Sequence, residues 1–382
     1  MKVLILGGDG YLGWPTAMHF AAAGHEVTVI DNYIRRVIAE ETDSEPLMVT
    51  PSLTQRARRF RELTGHDIQV RIGDLTQPEV MFDAVNNTLP DTVIHYAEQP
   101  SAPYSMIGFT EARKTFQNNL DVTFNLIWAL LRFAPNAHMI KLGTMGEYGT
   151  PNIDIEEGWI NIEHNGRTGR FLFPRAAGSL YHTTKVLDTD LLWFYVRTYG
   201  LRVTDLMQGP VYGLSTVEAD LDPALCPNFH YDDIFGTLVN RFLVQAVAGV
   251  PLTVYSSGGQ TRGYLNLRDT LQCVRLAAEN PATAGELKIY NQLTETFSVN
   301  EVAHKVHRVG NSMGLDVKIK SIPNPRKEME EHYYNPIHSG LKELGLEPHF
   351  MTDEVVASML ERIITVKDRI VLGRIMPRVN WK

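Results

Sequence analysis

Two short stretches carry residue types suited to hydride chemistry at a carbinol carbon: Lys141-Leu-Gly-Thr-Met-Gly-Glu-Tyr-Gly149 and Tyr181-His-Thr-Thr-Lys185. Tyr181 and Lys185 stand four residues apart, so a helix presents them on one face. An ammonium beside a phenol favours phenolate and lowers the phenol pKa. Tyr181 is then able to take a proton from a substrate hydroxyl while hydride departs. Thr144, at the end of a predicted strand, supplies a further hydrogen bond to the same oxygen. A Tyr-x-x-x-Lys spacing is common by chance, so its meaning depends on the elements that position it.

Those elements alternate. Val3–Leu6 is a short apolar run of buried-strand type that ends in Gly7-Gly-Asp-Gly-Tyr-Leu-Gly13, and a helix follows to Ala23. Glu26–Asp31 is the next strand, which completes a βαβ unit. Further strands are predicted at Ile68–Ile72, Thr92–Tyr96, Met139–Leu142 and Val203–Leu206, with helices at Thr54–Leu63, Glu111–Phe133 and Leu180–Tyr199. This order predicts an α/β fold, a Rossmann-type doubly wound parallel sheet with a smaller C-terminal substrate lobe. The expected division is 1–212 for the dinucleotide-binding domain with the catalytic residues and 213–382 for the lobe, with some chain crossing back to the sheet. In the lobe, Leu252–Tyr255, Gly263–Leu267 and Lys288–Tyr290 read as short strands; the tail after Asp368 has no assignment.

Gly7, Gly10 and Gly13 have the spacing of a dinucleotide turn, which opens a helix whose N-terminus receives a pyrophosphate, with Tyr11 and Leu12 in the same turn. Asp31 closes the second strand, where a carboxylate accepts ribose hydroxyls and repels a 2′-phosphate. That favours NAD, with Asn32 beside it, although Arg35 and Arg36 follow and are either phosphate ligands or a solvated basic loop. Asp74, next to Leu75, either accepts from the adenine amino group or caps a helix.

Composition sets the outer limits. The chain has 382 residues, 44% hydrophobic and 21% charged, with a net charge of -8, which argues against nucleic acid as a partner. Cys226 and Cys273 are its only cysteines and have neither disulfide-framework nor metal-ligand spacing. Nothing resembling a leader precedes the first strand and no stretch has membrane-span length, so the expectation is a cytoplasmic protein without membrane insertion.

Taken together, these residues resemble the extended short-chain dehydrogenase/reductase superfamily, which acts on nucleotide sugars. Its sugar dehydratases carry Thr-Asp-Glu at the strand end; here those places read Thr144-Met145-Gly146, with Glu147 one position late. The stretches Ser101–Met106, Lys141–Gly158, His164–Arg167, Gly258–Tyr264 and Pro323–Arg326 resemble the UDP-sulfoquinovose synthase family, and the likeness runs from Gly7 to about Asp368. The resemblance implies UDP-glucose and sulfite as substrates and NAD as a retained cofactor. It further implies oxidation at C4, loss of the C6 hydroxyl with the C5 proton, sulfite addition at C6 and re-reduction at C4. A shielded site protects such a reactive enone from water.

Glu147 and His182 are the candidates for the C5 base, by their proximity to Thr144 and Tyr181. Met145 shapes the sugar or sulfite pocket, or simply packs. Arg262 and Arg326 resemble the superfamily's diphosphate arginines, for which bidentate geometry is the reason, with Arg241 as a possible helper. Val254 and Tyr255 lie on the strand expected to offer backbone bonds to uracil, and Gln260 lies in the Gly-Gly-Gln-Thr-Arg motif. Asn118 and Gln208 hold sugar or phosphate, or are satisfied core amides. The chain departs from the family at Pro100, where relatives carry Arg, and at Ala176, where they carry Gln. A homodimer through the helix bearing Tyr181 and the one before it is expected from the resemblance, as is a possible sulfur-donor protein. The rival readings are a UDP-glucose 4,6-dehydratase or related epimerase, and a non-catalytic sensor, which the intact Thr144, Tyr181 and Lys185 disfavour.

Overall fold

The computed structural model describes residues 1–325 and 333–380. The first half alternates as β1 (Lys2–Leu6), α1 (Gly13–Ala22), β2 (Glu26–Asp31), α2 (Ile34–Glu41), α3 (Leu53–Thr64), β3 (Ile68–Ile72), α4 (Pro78–Thr88) and β4 (Thr92–His95). It continues through α5 (Ala102–Ser105), α6 (Phe109–Phe133), β5 (His138–Thr144), the hairpin β6 (Trp159–His164) and β7 (Arg167–Leu172), α7 (Leu180–Tyr199) and β8 (Arg202–Gln208). The second half holds β9 (Val211–Tyr212), α8 (Leu238–Val247), β10 (Leu252–Tyr255), β11 (Thr261–Asn266), α9 (Leu267–Glu279), β12 (Glu286–Gln292) and β13 (Glu295–Ser298). It ends with α10 (Val299–Ser312), β14 (Ile319–Ile322), α11 (Gly340–Glu343) and α12 (Asp353–Ile364).

Seven strands form one parallel sheet in the order β12-β8-β5-β4-β1-β2-β3. Alternation along β1 decides its two faces. Leu4 and Leu6 pack with Leu126, Leu130 and Val203 on one side, while Val3 and Ile5 pack with Trp14, Phe20 and Val274 on the other. The sheet is thus the doubly wound α/β layer expected of the alternating pattern, and β12 is the segment of the second half that returns to it.

A second apolar core, with Tyr212, Phe229, Phe242, Val254, Val306 and Leu360, sits in the C-terminal lobe, and Leu47 and Met48 from the long α2–α3 connection join it. We propose the division into 1–212 and 213–382, which α9 and β12 cross to reach the sheet and Leu47 and Met48 cross to reach the lobe. The tail acquires an explanation that the sequence did not provide. Arg374 reaches Asp43 at 2.5 Å, and Asp233 accepts from the backbone N–H of Arg378 at 2.5 Å and of Val379 at 3.0 Å. The end of the chain therefore ties the α2–α3 connection to the 233–237 loop.

Candidate functional site

A cleft of about 950 Å³ opens at the carboxyl ends of the sheet, between the sheet and the lobe. This is where open α/β sheets bind ligands. Gly7, Gly10, Tyr11, Leu12, Gly13, Asp31, Asn32, Arg35, Asp74 and Leu75 line one end. Thr144, Met145, Tyr181 and His182 line the middle, and Asn118, Gln208 and Arg262 line the wall beyond.

The dinucleotide end is shaped by close approach. Gly7 has φ +87°, and a Cβ on Gly13 would lie 2.0 Å from the Gly7 carbonyl, so the turn and helix close up only without side chains there. The resulting cradle, with the N-terminus of α1 facing it, fits a pyrophosphate. Asp31 accepts from the N–H groups of Asp9 at 2.8 Å and Tyr33 at 2.6 Å. Burial, and next the charge of Asp9, push its pKa up to about 6. Asp74 accepts from Thr76 N–H at 3.1 Å and the Thr76 hydroxyl at 2.9 Å while facing the cleft, so it caps the turn and lines the cavity together.

Arg36 is neither the phosphate ligand nor the solvated basic residue that were the two expectations for it. Its Nε and Nη2 donate to both Asp9 oxygens, at 2.7 and 2.8 Å, it donates further to the carbonyls of Thr50 and Pro51, and it lies 5.1 Å from the Tyr33 ring centroid. It is a bolt behind the glycine turn and is absent from the cleft lining. Arg35 is different: it lines the cleft and lies 4.5 Å from the Phe235 ring centroid.

In the middle of the cleft, Ser179 caps α7 by accepting from His182 N–H, and this fixes where Tyr181, His182 and Lys185 emerge. Thr144 accepts from Gly146 N–H at 3.2 Å at the tip of β5. Lys185 Nζ donates to the Leu142 carbonyl at 2.6 Å and lies 2.6 Å from Glu98 Oε1. It is 5.9 Å from the Tyr181 ring centroid. Burial, followed by the charges of Glu98 and Glu147, holds the Tyr181 phenol above its usual pKa. The expected lowering of that pKa by the Lys185 ammonium is therefore corrected: burial outweighs it, and the ammonium has Glu98 beside it at 2.6 Å.

Glu147 and His182 separate clearly. Glu147 is fully buried, accepts from Thr144 N–H at 3.3 Å, and is held by Lys141 at 3.2 Å. It turns inward behind the strand end and does not line the cleft, because the fold uses it to neutralise Lys141. His182 does line the cleft, with Nδ1 3.0 Å from Ser179 Oγ. A Cβ on Gly146 would lie 2.4 Å from His182 Nε2, so the imidazole occupies the space that a side chain at 146 would need.

On the substrate side, Arg262 lines the cleft and donates to the Thr261 carbonyl at 2.7 Å. Gln208 donates to Gln292 at 3.1 Å and Asn118 to Asn119 at 3.1 Å, each while facing the cleft. Arg241, Val254, Tyr255 and Gln260 do not reach it. Val254 is in the lobe core, Gln260 is buried, and Arg241 donates to the Tyr255 hydroxyl at 2.5 Å. β10 pairs with β14 on one edge, and on the other the Thr253 N–H and carbonyl are taken by Gln245 and Arg241, so the strand offers no slot here. Arg326 lies outside the described residues. Pro100 and Ala176 both line the cleft, so the two departures from the family pattern fall within it.

Glu98, two residues before Pro100, lines the cleft without being a residue that the sequence singles out. The same holds for the 233–237 loop, which carries no motif. Among the described residues there is no group of side chains suited to a metal ion, and no helix is long and apolar enough to cross a membrane.

Comparison with known proteins agrees with this geometry. A family model described as the NAD dependent epimerase/dehydratase family matches residues 3–291. A chloroplastic UDP-sulfoquinovose synthase from Spinacia oleracea is 48% identical over 381 residues, covering 100% of this chain and 79% of the relative. A UDP-sulfoquinovose synthase from Sulfolobus acidocaldarius is 43% identical, covering 100% of this chain and 98% of the relative. Among solved structures, a UDP-glucose 4-epimerase from Thermotoga maritima with UDP-glucose superposes with a TM-score of 0.70 at 20% identity, covering 96% of this chain and 99% of that one. One from Bifidobacterium longum in complex with NAD+ and UDP gives 0.71 at 19% identity, covering 97% and 100%. These two speak for the fold.

Proposed function

We propose that this chain, which belongs to the NAD dependent epimerase/dehydratase family and within it to the UDP-sulfoquinovose synthases, converts UDP-glucose and sulfite to UDP-sulfoquinovose in the cleft described above. Bound NAD would supply a hydride acceptor for C4 and later the hydride donor. Gly7, Gly10 and Gly13 hold its pyrophosphate, and Asp31 its ribose.

Tyr181 takes the C4 hydroxyl proton, and Thr144 donates a hydrogen bond to the same oxygen. The C4 ketone acidifies C5–H. His182 removes that proton and passes it to the C6 hydroxyl, which leaves as water. In the tautomer whose Nδ1–H donates to Ser179, Nε2 carries the lone pair that a base requires. Hydrogen sulfite forms the C–S bond at C6 of the enone, His182 relays its proton to C5, and as C4 is reduced Tyr181 returns its proton to the C4 oxygen. Met145 walls the pocket, Arg262 is placed for the diphosphate, and the enclosed cleft excludes water from the enone.

The observation that carries this reading over a 4,6-dehydratase is the His182 imidazole filling the space beside Gly146. The strand end has no carboxylate at 145 or 146, and Glu147 is committed to Lys141. The test is mass spectrometry of UDP-sugars after incubation with UDP-glucose, with and without sulfite. A sulfonated UDP-hexose that requires sulfite is expected. A 4-keto-6-deoxy product in both samples would move the assignment to a dehydratase, and no product in either would point to a sulfur-donor protein or to the sensor reading.

A homodimer belongs to the same proposal. Phe116, Phe124 and Trp128 on α6 and Leu187, Phe194 and Tyr199 on α7 leave an apolar face in solvent that a second copy would cover. Sedimentation velocity reads this directly. The cytoplasmic location is proposed with it, supported by two buried free thiols.

A further inference from the structure

Glu98 follows β4 and has no role in the chemistry described so far. Its side chain is 2% exposed, yet it lines the cleft. Its carboxylate lies 2.6 Å from Lys185 Nζ and 3.5 Å from His95 Nε2, and neither oxygen has a further hydrogen-bond partner. Burial pushes His95 down to about 4, so it stays neutral and does not balance the carboxylate. The segment carrying Glu98 is rigid: Gln99 N–H donates to Asn119 on α6 at 2.8 Å, and Asn119 donates to Thr184 on α7 at 3.0 Å.

We propose that Glu98 is a positioning residue for the redox step, whose carboxylate fixes the Lys185 ammonium against the Leu142 carbonyl and offsets its positive charge beside Tyr181. This rests on the reading of Tyr181 and Lys185 given above. The groups facing the pair come from every packed element. They are His95 on β4, Lys141 on β5, Glu147 after it, Arg175 before α7, His182 and Asp188 on α7 and Asp205 on β8. Among the carboxylates, Glu98 acts most strongly to hold the Tyr181 phenol up, after burial itself. Without that charge, the ammonium would favour phenolate more strongly. The chain therefore sets the proton affinity of Tyr181 by a carboxylate that acts through Lys185.

The experiment is the pH profile of UDP-glucose oxidation by the NAD-loaded enzyme without sulfite, read as dihydronicotinamide absorbance, for wild type, Glu98→Gln and Tyr181→Phe. Glu98→Gln is expected to move the acid limb to lower pH by about one unit or more, with KM for UDP-glucose unchanged and the plateau rate reduced. A purely structural Glu98 would lower the rate at every pH without moving the limb, and a limb coincident with wild type overturns the inference. Glu98→Asp keeps the charge but draws it back by one methylene, so it shifts the limb the same way by less. If Glu98→Gln does not fold, an unmoved limb in Glu98→Asp overturns the inference instead. Tyr181→Phe separates the two levels: oxidation that survives it sinks the reading of the site, whereas its loss beside an unmoved Glu98→Gln limb sinks only the role of Glu98.

Discussion

Two buried ionic clusters flank the cleft, and they are built in opposite ways. Behind the glycine turn, Asp9 is saturated. Arg36 holds both its oxygens and Arg56 sits on Oδ1 at 2.5 Å, while Asn228 donates to its carbonyl at 2.5 Å. Behind Tyr181, carboxylates crowd together. Glu98, Glu147, Asp188 and Asp205 surround Lys141 and Lys185, and burial holds the pKa values of Glu147 and Asp188 up. The first arrangement fixes backbone, since both carboxylate oxygens of Asp9 meet a guanidinium and its carbonyl meets an amide. The second leaves protonation states sensitive to small changes in nearby charge, as expected of a site that moves protons.

Breaking the saturated cluster carries the largest expected effect. Asp9→Ala strands Arg56, which is 0% exposed, without its anion. Removing one partner of a buried pair costs about 3–5 kcal/mol. A fall in thermal stability of that order, with loss of bound NAD, is expected in a melting experiment. An unchanged melting temperature would mean that the pair is not what holds the turn.

The carboxylate-rich cluster responds more mildly. Glu147→Gln leaves Lys141 with Asp205 at 3.2 Å and Thr189 at 2.7 Å, so the cost is about 1–3 kcal/mol. Because Glu147 is turned away from the cleft, the variant retains C5 proton removal. His182→Ala loses it while still oxidising C4, by about 10²–10⁴-fold. Exchange of the C5 hydrogen with deuterated solvent reads both. If Glu147→Gln abolished exchange and His182→Ala kept it, the assignment of the base would be reversed.

The difference between the clusters also accounts for what was legible in the sequence. The sheet, the glycine turn and Tyr181–Lys185 rest on local periodicity and short spacings, which sequence displays directly. The contacts of Arg36 and Glu98 depend on which of several nearby charges a side chain meets after folding. Arg36 looked equivalent to Arg35, but one faces Asp9 and the other the cleft. Val254 and Gln260 sat in motif-like places, yet β10 closed against β14, a strand with no signature of its own. The tail beyond Asp368 stayed unread because its partners, Asp43 and Asp233, lie far away in the chain.

The smallest effect sharpens the comparison where the saturated cluster touches the cofactor. Asp31 accepts Asp9 N–H, and the Asp9 charge follows burial in raising the Asp31 pKa to about 6. In the proposed role of Asp31 a ribose hydroxyl donates to the carboxylate form, so NAD binding would draw Asp31 toward its ionised state. NAD affinity is therefore full above about pH 6 and weakens as pH falls through it, approaching tenfold for each unit. The chain without NAD moves the other way. A carboxyl whose folded pKa lies above its usual 3.8 binds its proton more tightly when folded, so its contribution to stability is lost as pH rises from about 4 through 6. Retention of NAD on dialysis about one unit below and one unit above pH 6 is the check. Asp31→Asn should flatten the difference while leaving the Asp9 cluster intact. Equal retention in the wild type at both pH values would show that the ribose does not lean on Asp31.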